Sequence, residues 1–159
     1  PGSSITLESS GLPAAPVSGW AQATSSRLIS GFAIFRRKLP DAGLQEATVP
    51  GQPIAASRSV VPFDNTGGLV TSMAAVNPSA TQPVSLAVVV RDPQGQITAA
   101  ATLQLPADGH TAFELPQRFP ETAERQGTIE FSSTSGAFHV LPLRFAPGGA
   151  FTSIRAAGN

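Results

Sequence analysis

Val84-Ser85-Leu86-Ala87-Val88-Val89-Val90-Arg91 is followed by Asp92-Pro93-Gln94-Gly95 and then by Gln96-Ile97-Thr98-Ala99-Ala100-Ala101-Thr102-Leu103-Gln104-Leu105. In the first run Val84, Leu86, Val88 and Val90 share one face; in the second Ile97, Ala99, Ala101, Leu103 and Leu105 do. A further turn, Ala107-Asp108-Gly109, leads into Thr111, Phe113 and Leu115. Successive side chains of an extended chain point to opposite faces, and Pro, Asp and Gly supply the dihedrals that reverse it. The stretch is an antiparallel meander, and it decides the fold class.

The same pattern continues on both sides. Strands are expected near Ser4–Ser9, Gly19–Thr24, Leu28–Arg37, Leu44–Val49, Ser57–Phe63 and Val70–Asn77 before the meander, and near Gly127–Ser133, Phe138–Phe145 and Phe151–Ile154 after it. Turn signals separate them at the spacing of a sandwich or barrel. No segment sustains a capped helical period. At most one short helical turn is expected near 120–126, where Pro120 and Glu121 suit a first turn and Gly127 ends it. Pro142 interrupts its strand and cannot donate to a ladder, which predicts an edge strand or a bulge there. Ser18-Gly19-Trp20-Ala21 recurs as Ser30-Gly31-Phe32-Ala33, which suggests two strands carrying equivalent aromatics inward. The expected fold is all-β: one antiparallel two-sheet β-sandwich over residues 17–159, with jelly-roll-like or immunoglobulin-like connections. Residues 1–16 hold a cloning scar (Pro1-Gly2-Ser3-Ser4), an N-terminal strand and a linker at Leu12–Val17.

Composition narrows the function classes. A chain of 159 residues is long enough for one well-buried core. Only 13% of residues are charged, ten basic against ten acidic. Phosphate binding needs a basic excess gathered on one surface, so a nucleic-acid partner is not expected. Arg36-Arg37-Lys38, the one basic cluster, reads as a solvated strand end beside a turn at Pro40-Asp41. The chain has no cysteine, which removes disulfides, thiolate metal sites and a thiol nucleophile. No apolar run is long enough to cross a bilayer as a helix, and membrane insertion is not expected.

The search for chemistry yields few residues. Only two histidines, His110 and His139, are present, no Gly-x-Ser-x-Gly elbow exists, and two histidines without a third ligand make a poor zinc site. Glu114 and Glu130 would serve as a glycosidase pair only if their strands bring them face to face. No catalytic residue is assigned, and no enzyme activity is expected. Asp64-Asn65-Thr66-Gly67-Gly68 concentrates oxygen groups on a glycine-bearing loop. Asp64 and Asn65 are the metal candidates, with calcium the ion their hard oxygens suit, although a tight turn explains the same residues. No other cofactor is implied. Trp20, the single Trp in a chain without Tyr, is the candidate ligand-binding residue, since an amphipathic ring can stack on a sugar.

One ordered set of motifs goes further. Gly31-Phe32-Ala33-Ile34-Phe35, Gln45-Glu46-Ala47, Phe63-Asp64-Asn65-Thr66, Asn77-Pro78, Leu105-Pro106-Ala107-x-Gly109-His110, Phe119-Pro120, Gly127-Thr128-Ile129 and Leu143-Arg144-Phe145 occur in this order. The set resembles a β-sandwich module of unknown function found near the C-termini of large secreted proteins of soil bacteria, and it spans about residues 18–155. The resemblance implies an extracellular, non-catalytic domain appended to other modules, and it carries over no site residues. The expected function is adhesion, surface display or assembly of a larger protein that is secreted or held at a bacterial cell surface. Its partners would be other domains of the same polypeptide or surface proteins. The alternative is an accessory glycan-binding domain of a secreted enzyme.

Overall fold

The structure, a computed structural model, describes residues 2–9, 18–39, 43–52 and 54–158. Eleven strands occur among them. A hairpin, β1 (Phe32–Leu39) and β2 (Gly43–Pro50), forms a two-stranded sheet by itself. The body follows with β3 (Arg58–Asp64), β4 (Val70–Val76), β5 (Val84–Arg91), β6 (Ile97–Leu105), β7 (His110–Glu114), β8 (Gln126–Ser132), β9 (His139–Phe145), β10 (Phe151–Ser153) and β11 (Ala157–Gly158). Among the described residues, helical structure is confined to Leu115–Arg118 and a 3-10 turn at Pro120–Thr122. It begins at Leu115 rather than Pro120 because Pro116, at the first helical turn, fixes φ for a helix while losing no needed N–H.

The body is a β-sandwich. One sheet has the order β10-β9-β4-β7 and the other β11-β3-β8-β5-β6, antiparallel throughout. From β3 to β9 the chain changes sheet at every connection except the β5–β6 hairpin. Strand β8 returns between β3 and β5, and β9 returns beside β4 rather than beside β8. This is the rolled-up double Greek key of a jelly roll, which settles the connections in favour of that alternative over the immunoglobulin-like one. The register carries the alternation inward. Ile129 on β8 pairs Val61 and Val90, and Phe131 pairs Ser59 and Val88. Facing them, Met73, Ala75 and Val140 come from the other sheet, and all join one buried cluster. Leu115 and Phe119 are buried at one end, where Phe119 meets Phe113 edge to face at 6.2 Å. Each fully buried Leu, Ile, Val or Phe contributes about 1.5–3 kcal/mol of transfer free energy, so this cluster dominates the fold's stability.

Four expectations are corrected. The stretch Val84–Leu115 is not a meander throughout: β5 and β6 form a hairpin, but β7 crosses to the other sheet and pairs with β4, because Phe113 packs on the core by facing the β5–β6 sheet rather than by extending it. Pro142 lies on an interior strand, between β4 and β10, and is buried. Its carbonyl accepts the Ile154 N–H at 3.0 Å, on the β10 side. In an antiparallel strand the nitrogen of the same residue faces that side too, where the β10 ladder, pairing only Leu143–Phe145, has already ended. The β4 ladder loses nothing. No strand forms over Ser4–Ser9 or Gly19–Thr24, since neither segment finds a sheet edge; Ile5 and Leu7 are 84% and 86% exposed. The aromatic echo does not carry two rings inward: Trp20 is half-buried outside any strand and Phe32 is 68% exposed. The linker at Leu12–Val17 falls outside the described residues.

Candidate functional site

The Asp64–Gly68 loop connects β3 to β4. Asp64 Oδ1 accepts from the Thr66 N–H at 3.0 Å and from the Thr66 hydroxyl at 2.7 Å, the bonds of an Asx turn. Those two bonds hold its carboxyl below the usual carboxylate range, helped by Gln126 and the charge of Arg144. Asn65 is 2% exposed. Its Oδ1 accepts the Thr71 N–H at 2.7 Å and its Nδ2 donates to the Thr122 carbonyl at 3.1 Å, while its backbone N–H donates to Arg125. Gly67 and Gly68 both have positive φ, as the turn demands. The Oδ1 atoms of Asp64 and Asn65, among the oxygens that suggested calcium, thus accept hydrogen bonds within the loop itself.

Trp20 reaches the turn where the chain crosses from one sheet to the other after β6. Its indole N–H donates to the Asp108 carbonyl at 3.0 Å, tying the segment before β1 to the β6–β7 turn. Asp108 itself holds φ of 54°, a conformation in which Asp is tolerated better than most residues. Asn77 brackets this end much as Asn65 does the other. Buried to 1% exposure, it donates from Nδ2 to the carbonyls of Gln82 and Pro106, both at 2.8 Å, and accepts the Ser79 N–H at 3.0 Å. An asparagine just after a strand and before a proline was the available signal, although Asn-Pro alone is read as a turn.

The remaining reactive groups stay apart. Glu114 lies on the outer face of the β4 sheet, with its carboxylate accepting from Gln117 Nε2 at 2.7 Å. Glu130 lies on the outer face of the β3 sheet, gripped by Arg58 through two bonds of 2.9 Å that lower its pKa. They point away from opposite sides of the sandwich and cannot flank one glycosidic bond. His110 is exposed, while His139 is half-buried and its Nδ1 is buried without a partner among the described residues. Burial pushes the His139 imidazole below its ordinary pKa. Both flank Val76 in one cross-strand row on the outer face of the β4 sheet. Among the described residues no group of three His, Asp or Glu is placed to hold a metal. Two shallow, adjoining depressions of about 420 and 340 Å³ lie beside the Asp92–Gly95 turn.

Apolar surface is more prominent. On the outer face of the β4 sheet, Leu141, Leu143, Phe145 and Phe151 are only half-buried, and the two Phe rings stack at 5.5 Å. The hairpin adds Phe32, Ile34, Phe35 and Leu44, all exposed. Its β2 strand lies against β10, where the Ser153 hydroxyl donates to the Thr48 carbonyl at 2.9 Å, and only Ala47 among its described side chains is buried. Alternating apolar residues in β1 read as core in the sequence, but among the described residues no second sheet lies over them. Comparison with protein-family models, with curated proteins and with solved structures finds no match.

Proposed function

We propose that this chain is a non-catalytic, extracellular module of a larger secreted bacterial protein, working by contact in adhesion, surface display or assembly. The observation that carries the reading is the uncovered apolar hairpin. Phe32 and Ile34, next to each other on one face of β1, are 68% and 45% exposed, and Leu44, at the far end of the hairpin beyond the Arg36–Glu46 pair, is 60% exposed. Large apolar side chains left open together on a strand mark a surface that a partner covers. The ordered motif resemblance to C-terminal modules of secreted proteins supports the same reading.

The test is to replace Phe32, Ile34 and Leu44 together by Thr in the parent secreted protein. Exposed residues contribute little to folding, so the module's Tm should move by no more than about 2 °C. Retention at the cell surface, or in the assembly that holds the protein, should fall about tenfold, the loss of about 1.4 kcal/mol of contact. Unchanged retention, or turnover of a polysaccharide or ester by the purified chain, would overturn the reading.

A further inference from the structure

Strand β1 is a free edge. It pairs with β2 on one side, over all eight residues from Phe32↔Pro50 to Leu39↔Gly43, and with no strand on the other among the described residues. A long exposed edge with apolar side chains is a template for another strand, and proteins normally blunt such edges. Here the basic run Arg36-Arg37-Lys38 occupies one half, and Phe32, Ile34 and Phe35 leave the other half open.

The N-terminal segment is the complementary piece. Ser4-Ile5-Thr6-Leu7-Glu8 alternates polar and apolar residues, the pattern of a half-buried strand, yet Ile5 and Leu7 are almost fully exposed and the segment joins no sheet. Its carboxylate already finds β1: Glu8 Oε1 is 3.6 Å from Arg36 Nη1. Within the two hairpin strands Glu46 is the one carboxylate, 2.6 Å from Arg36, so Arg37 and Lys38 are left without an acidic cross-strand partner. A second β1 placed on this edge would bring another three cations to it. The N-terminal segment brings an acid instead.

From this edge, this unpaired alternating segment and their opposite charge, we infer that the N-terminal segment of one copy adds as a strand to the β1 edge of a second copy. This deepens the contact reading above and rests on it. Main-chain hydrogen bonds supply the pairing, and Ile5 and Leu7 are covered beside the apolar half of β1. The donor and acceptor surfaces differ, so the contact is heterologous and propagates beyond a dimer.

Sedimentation velocity on the full chain, over a range of concentrations and at low and high salt, tests this. Association is expected to extend past the dimer and to weaken as salt screens Glu8 from the basic run. A chain lacking residues 2–9 keeps only the acceptor edge; F32K/I34K keeps only the donor segment. Each alone should be monomeric with an unchanged Tm, and their mixture should form a one-to-one complex that grows no further. If F32K/I34K fails to fold, the mixture of wild type with the deletion variant serves, because the acceptor-only chain should cap and shorten the assemblies. A wild-type chain that is monomeric throughout, including one whose segment pairs with its own β1, overturns the inference. So does association that survives deletion of residues 2–9. A monomeric chain whose hairpin substitutions still abolish surface retention would overturn strand addition alone and leave the contact reading standing; retained surface binding would sink both.

Discussion

Asn65 and Asn77 each sit between two loops, almost fully buried, and neither belongs to a strand. Their amides do what a β-ladder does elsewhere, satisfying backbone groups that the turns leave without partners. Removing the side chain leaves those groups buried and unpaired, which costs more than the net worth of the bond. Asn65→Ala strands the Thr71 N–H, on a residue with no exposure, and takes one of two donors from the Thr122 carbonyl, which keeps the Arg125 N–H. It is expected to cost about 3 kcal/mol, read as a lower urea midpoint with unchanged m-value. The motif Phe63-Asp64-Asn65-Thr66 was visible in the sequence as a turn. That Asn65 would be a buried brace depended on Thr122 and Arg125 arriving from far along the chain.

At the scale of the element, the run from β5 to β7 is legible strand by strand, although β7 leaves β6 and pairs with β4 in the other sheet, so only β5 and β6 form the expected hairpin. Strands β5, β6 and β7 fall within a residue of where alternation places them, and Asp92 reverses the first turn by accepting from the N–H groups of Gln94 and Gln96 at 3.0 and 2.8 Å. Gly95 takes the positive φ that the turn requires. Gly127 has a different role, at the start of β8. A Cβ there would stand 2.1 Å from the Arg91 carbonyl oxygen and about 3 Å from the Phe63 ring, so β8 can approach β5 only without a side chain at that position. Gly127→Ala should push these strands apart at one end, at a cost of about 2–3 kcal/mol, with Tm falling by about 5–10 °C in calorimetry. An unchanged Tm would mean that the β5–β8 register is not as tight as this contact implies. Pro142 gives the matching lesson for prolines: the rule about ladders held, but the strand escaped the edge because its β10 neighbour is only three residues long.

For the whole molecule, stability should depend on pH in two stages. His139 is held below its ordinary value of 6.5 by burial, so the unfolded chain takes up this proton before the folded one does. Its contribution is complete above about pH 6.5 and is lost as pH falls through the lower folded value. Asp64 and Glu130 are held below 3.8 and 4.5, by Thr66 and Arg58 respectively. Their contribution is complete above about pH 4.5 and disappears as pH falls through the folded values. Thermal melts from pH 8 to 3 should therefore show a shallow decline, then a second one. His139→Leu should flatten the first, and D64N/E130Q the second; a wild-type profile level down to pH 3 would contradict both assignments. By itself the sequence determined the all-β class, nearly every strand of the body and its turns, because alternation and turn chemistry are local properties of neighbouring residues. Only the tertiary structure decided the jelly-roll order, the placing of Glu114 and Glu130 on opposite faces, and the exposure of β1. Those depend on which strands meet across the sandwich, and an apolar alternating strand looks the same in sequence whether or not a second sheet comes to cover it.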